Sequence, residues 1–418
     1  MDTKYFPSIE AINKASEVLE EILEPTPFKK NDNLSDMYEA NVYLKREDLQ
    51  MVRSYKIRGA YNKIRSIAPE NLQNGIVCAS AGNHAQGVAF SCSKLQIKGS
   101  IFMPTTTPKQ KIEQVRMFGK EFIEIVLTGD TFDAANSAAT AYAEENAMTF
   151  IPPFDDPKVM EGQGTIGKEI LAQSSVKLDY IFVPIGGGGL ASGLGSYIRQ
   201  MSPDTKIIGV EPGGAPCMKA AIEAGETVRL EHIDKFVDGA AVQKAGALTY
   251  EVCKEVLDDI VVVPEGAVCT TIIQMYNKSA IVVEPAGALA AAALRFYADK
   301  IKGKNVACVV SGSNNDITRM EEIREKSLLY EGLKHYFIIT FPQKSGEILS
   351  FIRDVIGPTD DLVYIQYIKK TNKNFGPALI GIELASKDDF EPFLNRMKEN
   401  GFAYEYINEN NQLFEILI

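Results

Sequence analysis

The sequence has no pair of cysteines at C-x-x-C spacing. Its six cysteines (Cys78, Cys92, Cys217, Cys253, Cys269 and Cys308) are scattered along 418 residues. That pattern argues against structural zinc and reads as reduced thiols of a cytosolic protein. No apolar run reaches the ~18 residues a membrane helix requires. The richest, Ala286 to Leu294, is short and carries small side chains. The opening Met1-Asp2-Thr3-Lys4-Tyr5 lacks the apolar core of a secretory leader. The expected location is therefore the cytoplasm, with no membrane partner, and the sequons Asn33-Leu34-Ser35 and Asn277-Lys278-Ser279 are chance matches. Positive charge is also scarce: 44 Lys and Arg stand against 55 Asp and Glu, a net charge of −11. A chain this acidic lacks the basic footprint that binds phosphate backbones, so no nucleic-acid partner is expected. Low-complexity segments and internal repeats are likewise missing.

What is present is an ordinary globular composition, 45% apolar and 24% charged. At roughly 100 to 200 residues per domain, the length implies two or three domains. From about Asn41 to Asn315, short β-rich runs alternate with helix-like stretches. The runs are Val42 to Leu44, Gly75 to Ala79, Ser100 to Met103, Phe122 to Leu127, Tyr180 to Ile185, Lys206 to Val210, Ile260 to Val263 and Val306 to Val310. Several are almost continuously apolar, as strands buried on both faces should be. This is the α/β pattern of parallel sheets covered by helices, whose ligands bind beyond the carboxyl ends of the strands. From about Glu331 the rhythm changes. Strands at His335 to Phe341, Leu362 to Lys369, Ala378 to Leu384 and Gln412 to Leu417, with helices at Gly346 to Ile356 and Asp388 to Asn400, give the ferredoxin-like order β-α-β-β-α-β. That unit has no Cys and one His, which suits a binding or regulatory module better than a catalytic one.

Ile185-Gly186-Gly187-Gly188-Gly189-Leu190 lies between a strand and a helix-like stretch, where backbone N–H groups can converge on an anion such as phosphate. Two weaker matches compete for attention. Gly186-x-Gly188-x-x-Ala191 with Glu211 fits a loose dinucleotide fingerprint, but any glycine run ahead of an alanine generates it. Gly162 to Lys168 satisfies G-x-x-x-x-G-K, yet Glu169 replaces the magnesium-binding Ser or Thr and no apolar strand precedes it. Gly162 to Gly167 is read instead as a structural turn opening a helix.

Three other segments bear chemistry. Lys56, in Arg53-Ser54-Tyr55-Lys56-Ile57-Arg58-Gly59-Ala60, would be a solvated surface lysine if taken alone. Crowding by Arg53 and Arg58, however, would favour the neutral amine needed for a Schiff base. Ser80-Ala81-Gly82-Asn83-His84 follows a strand and opens a helix; it reads as an ordinary cap or as a carboxylate site of backbone N–H groups. Val310-Ser311-Gly312-Ser313-Asn314 ends a strand where a sheet-top ligand would be met.

In this order and spacing the segments resemble the fold-type-II pyridoxal-phosphate enzymes, and among these the threonine dehydratases (threonine deaminases) in their shorter biosynthetic form. The resemblance runs from near Ile9 to the C-terminus. It implies a catalytic body of two parallel-sheet domains over residues 1–330, with a small domain of about 46–145 inserted in the large one. An ACT-like α+β regulatory domain would occupy residues 331–418. By the same resemblance, Lys56 would carry pyridoxal 5'-phosphate as a Schiff base and move the substrate's Cα proton. Asn83 would bond the cofactor's phenolic oxygen, Gly186, Gly187, Gly188 and Gly189 with Leu190 would hold its phosphate, and Ser311 would face its pyridine nitrogen. Ser80, Ala81 and Gly82 would receive the substrate carboxylate. A Ser donating to a neutral pyridine nitrogen makes a weaker electron sink than an Asp, which favours prompt loss of the β-hydroxyl over transamination. The implied reaction converts L-threonine to 2-oxobutanoate and ammonia, the first committed step of isoleucine biosynthesis. Isoleucine (with valine as a second candidate) is the implied effector and a homotetramer the implied assembly.

The chain departs from the family pattern at three places. Tyr55 stands where the family has Phe. Glu211, Ala215 and Cys217 align with a divalent-cation site of related serine racemases, but a thiol replaces its second carboxylate, so no metal is expected. Pro342-Gln343-Lys344-Ser345-Gly346 lacks the proline that precedes the glycine, although Ile348 and Leu349 keep the apolar pattern. The cofactor motifs alone also suit a serine/threonine dehydratase or a serine racemase; the regulatory unit tips the choice to threonine. A non-catalytic amino-acid sensor is the reading from another class, opposed by the intact Lys56, Asn83 and Ser311.

Overall fold

The computed structural model describes residues 5–369 and 373–417, so the Met1 to Lys4 stretch inspected for a leader lies outside the described residues, as does Ile418. The chain forms two compact units, Met1–Thr318 and Arg319–Ile418.

The first unit contains two sheets. The larger has six strands in the order Phe28–Lys30, Asn41–Arg46, Asn305–Val310, Tyr180–Pro184, Lys206–Pro212 and Asp259–Val263. Only its first pair is antiparallel. The smaller is all parallel, ordered Ile123–Leu127, Gly99–Met103, Ile76–Ala79 and Thr149–Phe150. Ile76–Ala79 and Gly99–Met103 are buried at every position, which is why they read as unbroken apolar runs. All eight expected strands of this region are found within a residue or two of their expected limits. Phe28–Lys30 and Thr149–Phe150 are additional, and too short to leave a pattern.

The segment Gly162 to Gly167 is not a turn. It lies inside the helix Pro157–Gln173, which opens five residues earlier where Asp156 accepts the N–H groups of Lys158 at 2.8 Å and Val159 at 3.2 Å. Its glycines serve close helix packing. A Cβ on Gly162 would meet the carbonyl oxygen of Arg58 at 2.6 Å, so the helix carrying Lys56 approaches almost to backbone contact. Glycine inside a helix costs about 1 kcal/mol relative to alanine, and here that cost is tied to placement of the Lys56 helix.

The second unit is an antiparallel sheet ordered Asp361–Tyr367, Phe375–Glu383, Lys334–Pro342 and Ala403–Tyr406. The helices Glu347–Asp354 and Phe390–Glu399 bury Phe351, Phe393 and Met397 against Phe337, Phe341 and Ile380 of the sheet. The order β-α-β-β-α-β holds, with one correction: the last strand is Ala403–Tyr406, and Gln412 to Leu417 is helical, within Asn411–Leu417. Leu413, Phe414 and Leu417 have the spacing of a helical face and pack beside Tyr336 and Leu379. The helix Met320–Tyr330, placed before residue 331 by the sequence reading, lies in this second unit, where Glu325 accepts from Tyr336 Oη at 2.7 Å and pairs with Lys334. Among the described residues, no helix is long and apolar enough to cross a membrane.

Candidate active site

Lys56 is the first residue of the helix Lys56–Arg65. It is reached through Arg53, whose φ of 59° turns the chain, and Ser54, which bridges to Gly312. Its Nζ donates to the carbonyl of Pro153 at 2.9 Å and lies 5.5 Å from the centre of the Tyr55 ring. Burial holds the amine down to about 8, against an opposing pull from the Glu284 carboxylate. The expected cause was different, and the structure corrects it. Arg58 turns away to grip Glu47 at 2.8 Å and Glu169 at 2.6 Å, and Arg53 is exposed to solvent. Desolvation, not crowding by arginines, favours the neutral amine.

Ser80, Ala81 and Gly82 connect the strand Ile76–Ala79 to the helix Asn83–Leu95. The Gly82 N–H donates to Ser80 Oγ at 3.2 Å, and the space a Gly82 Cβ would occupy is open to 4 Å. Asn83 is held at both ends: its Nδ2 donates to Glu284 Oε1 at 2.6 Å, and its Oδ1 accepts from Asn314 Nδ2 at 2.6 Å. Beside it, His84 is kept neutral, its pKa pushed down to about 3 by burial and then by the Lys56 charge.

Gly186 to Gly189 join the strand Tyr180–Pro184 to the helix Gly189–Met201, and Gly188 takes a φ of 95° that side chains rarely adopt. The Phe154 ring packs directly on Gly187, where any Cβ would collide with it. Leu190 follows, buried in the core of the large sheet. Ser311, also buried, ends the strand Asn305–Val310, and its carbonyl accepts from the Tyr55 N–H at 3.1 Å.

The sequence-predicted residues are therefore brought together by short links. Tyr55 ties Lys56 to Ser311, Pro153 and Phe154 tie it to the glycine loop, and Glu284 with Asn314 ties Asn83 to the segment beyond Ser311. Ser80 to Asn83, the glycine loop and Ser311 directly follow the carboxyl ends of parallel strands, where α/β sheets bind ligands. Two features escaped the sequence reading. One is Glu284, whose carboxyl is pushed up to about 7 by burial and then by Asp238. The other is Pro153-Phe154-Asp155, seen only as an absence of strand. The Ser-Gly-x-Asn spacing held the one usable signal, for Asn314. Glu211, by contrast, spends both carboxylate oxygens on backbone, accepting from Met218 N at 2.7 Å and Lys219 N at 2.8 Å at the start of the helix Cys217–Ala224.

A desolvated lysine, a doubly anchored asparagine and a glycine cradle at a helix N-terminus, gathered at the tops of two largely parallel sheets, define an enzyme built for an aldehyde cofactor bearing a phosphate. Residues 19–312 match the family described as pyridoxal-phosphate dependent enzyme, and residues 325–417 match the C-terminal regulatory domain of threonine dehydratase. The chain is 57% identical over 410 residues to the biosynthetic L-threonine dehydratase of Halalkalibacterium halodurans, covering 98% of this chain and 99% of that one. It is also similar to the solved processed form of threonine deaminase isoform 2 from Solanum lycopersicum, with a TM-score of 0.73 and 38% identity over 78% of this chain and 96% of that one. Maize serine racemase gives a TM-score of 0.71 at 29% identity, over 78% of this chain and 99% of that one. The chain belongs to the pyridoxal-phosphate-dependent enzymes and, within them, to the biosynthetic L-threonine dehydratases.

Proposed function

We propose that this chain deaminates L-threonine to 2-oxobutanoate and ammonia, the first committed step of isoleucine biosynthesis. The observation that carries the reading is Lys56: a desolvated amine with a single carbonyl partner, linked to the glycine cradle through Pro153 and Phe154. Pyridoxal phosphate, when bound, supplies the electron sink that acidifies the substrate's Cα–H. Gly186 to Gly189 would hold its phosphate with Leu190 closing the loop, Asn83 would hold its phenolic oxygen, and Ser311 would face its pyridine nitrogen. Ser80, Ala81 and Gly82 receive the substrate carboxylate at the N-terminus of the Asn83–Leu95 helix. Lys56, with an amine near neutrality, takes the Cα proton and returns a proton to the departing hydroxyl. His84, kept neutral, adds no charge that would compete with that transfer.

For regulation we propose isoleucine as the feedback effector, with valine as a second ligand of the same unit, in a cytoplasmic homotetramer. The catalytic region would span 1–318, with a small domain of about 46–145, and the ACT-like domain, with its leading helix Met320–Tyr330, the residues from Arg319 on. The match of residues 325–417 to a threonine dehydratase regulatory domain supports this reading over a serine racemase, whose solved relative parallels 78% of the chain.

Purified protein should absorb near 410–420 nm, roughly the band of lysine-bound cofactor. L-threonine should yield 2-oxobutanoate, and Lys56→Ala should remove both signals. A colourless protein, or turnover of serine with none of threonine, defeats the reading. Isoleucine should shift the threonine saturation curve; an unmoved curve defeats the feedback assignment, because allostery is a measured coupling between two sites.

A further inference from the structure

Each of the three carbonyls at the heart of the glycine loop meets a side-chain donor from one of two neighbouring helices, and Gly188 O also accepts from the Ser192 N–H of the Gly189–Met201 helix at 2.9 Å. Gly187 O accepts from Thr249 Oγ1 at 2.6 Å and from the Gly246 N–H at 3.3 Å. Cys217 Sγ donates to Gly186 O at 3.5 Å, and Cys253 Sγ donates to Gly188 O at 3.7 Å. Cys217 opens the helix Cys217–Ala224, while Thr249 and Cys253 lie one turn apart on the helix Ala247–Val256. Thr249 is itself fixed, because Asp155 accepts the N–H groups of Ala247, Leu248 and Thr249 at 2.9, 2.9 and 3.1 Å. Asp155 directly follows Pro153, the acceptor of Lys56, and Phe154, the ring against Gly187.

In a trans peptide the C=O and the following N–H point in opposite directions. None of these peptides is cis. Drawing the carbonyls of Gly186 and Gly187 toward the two helices therefore turns the N–H groups of Gly187 and Gly188 the other way, while the Gly188 carbonyl, bonded to Ser192 N–H in its own helix, turns that of Gly189. Four glycines would otherwise leave these peptide planes free to rotate. We propose that Thr249, assisted by Cys217 and Cys253, is a positioning residue that orients the glycine N–H groups toward the cofactor phosphate from behind the loop. Its hydroxyl is the strong donor of the three, since thiols donate weakly. The inference rests on the glycine loop being the phosphate site.

The test is a titration of the full-length protein, stripped of cofactor, with pyridoxal phosphate and separately with pyridoxal, which lacks the phosphate. Wild type should prefer the phosphorylated aldehyde. Thr249→Val, which keeps the shape and loses the hydroxyl, should bind pyridoxal phosphate roughly tenfold more weakly, ~1.4 kcal/mol, with pyridoxal affinity unchanged. Thr249→Ser should restore the preference to within about twofold of wild type. If Thr249→Val binds both aldehydes as wild type does, or loses both equally, the positioning role is overturned. Should that variant not fold, Cys217→Ala gives a second reading: a roughly threefold fall in the preference supports the role, and no fall overturns it. A wild type with no preference removes the phosphate-site reading itself and the positioning role with it.

Discussion

The two units differ most in what they bury. The first keeps Lys45, Glu47, Asp48, Arg58, Glu161, Glu211 and Glu284 away from water, whereas the second buries Phe337, Phe341, Phe351 and Phe393, with Lys334, His335 and Tyr336 as the buried ionisable groups among its described residues. A module that presents a regulatory surface can be held by apolar packing alone. A site that must keep an amine near neutrality cannot, because desolvation has to be arranged around it. In the first unit each such group is tied down. Arg58 reaches Glu47 and Glu169, Lys45 donates to Glu169 at 2.5 Å, and Glu47 accepts from Thr26 at 2.5 Å. The network sits two residues from Lys56, on its helix. In the second unit His335 instead stacks on Phe390 with centroids 4.0 Å apart and bonds Tyr406 Oη at 2.9 Å.

The largest effect should come from breaking the charge network. Arg58→Ala strands Glu47 in the interior and should cost the first unit about 3–5 kcal/mol. Hydrogen exchange read segment by segment should show this loss with the second unit unmoved; a loss under about 1 kcal/mol would mean the buried ions are not holding the Lys56 helix. The apolar counterpart is Phe393→Ala. It should cost the second unit roughly 3 kcal/mol, the low end for such a truncation, because the partly exposed Phe390–Glu399 helix can settle into the space. Isoleucine response should fall in that variant while threonine turnover is retained; equal loss of both would erase the contrast between the units.

A smaller effect is a slope with pH. Burial raises Glu284 from 4.5 to about 7, so the folded first unit holds that proton more tightly than the unfolded chain. Its contribution is therefore fully present below pH 4.5 and is lost as pH rises through about 7, by at most about 1.4 kcal/mol per pH unit. The stability difference between wild type without cofactor and Glu284→Gln should follow that course; a flat difference would place the carboxyl in water. His335 has the opposite sign, since burial lowers its pKa, so its contribution grows as pH rises toward 6.5. The smallest effect is Ser386→Ala. It removes an acceptor of the Asp388 N–H from a reciprocal cap in which Asp389 accepts from the Ser386 N–H. Thermal melts should show about 1 kcal/mol lost, confined to the second unit.

Strands buried on both faces wrote themselves into the sequence as apolar runs, and the glycine loop was visible because four glycines stand between a strand and a helix. The failures have physical reasons. Gly162 to Gly167 looked like a turn because glycine signals loops, while here it lets helices meet. The strand Ala403–Tyr406, Ala-Tyr-Glu-Tyr, is half polar and carries little strand pattern, whereas the more apolar Leu413, Phe414 and Leu417 beyond it pack as a helical face. Thr249 and Glu284 lie far along the chain from Gly187 and Asn83, the groups they contact, and nothing in their own neighbourhoods marks them.

The sequence by itself determined what is local: the periodicity of each element, the glycines that permit a left-handed turn, and the scarcity of positive charge and of long apolar runs noted at the outset. Only the tertiary structure decided ionisation and direction. The Lys56 pKa is lowered by burial rather than by the arginines beside it, and the glycine carbonyls meet donors on helices that follow the loop by about 30 to 65 residues. Both depend on desolvation and on hydrogen bonds through space, which the order of residues along a chain does not carry.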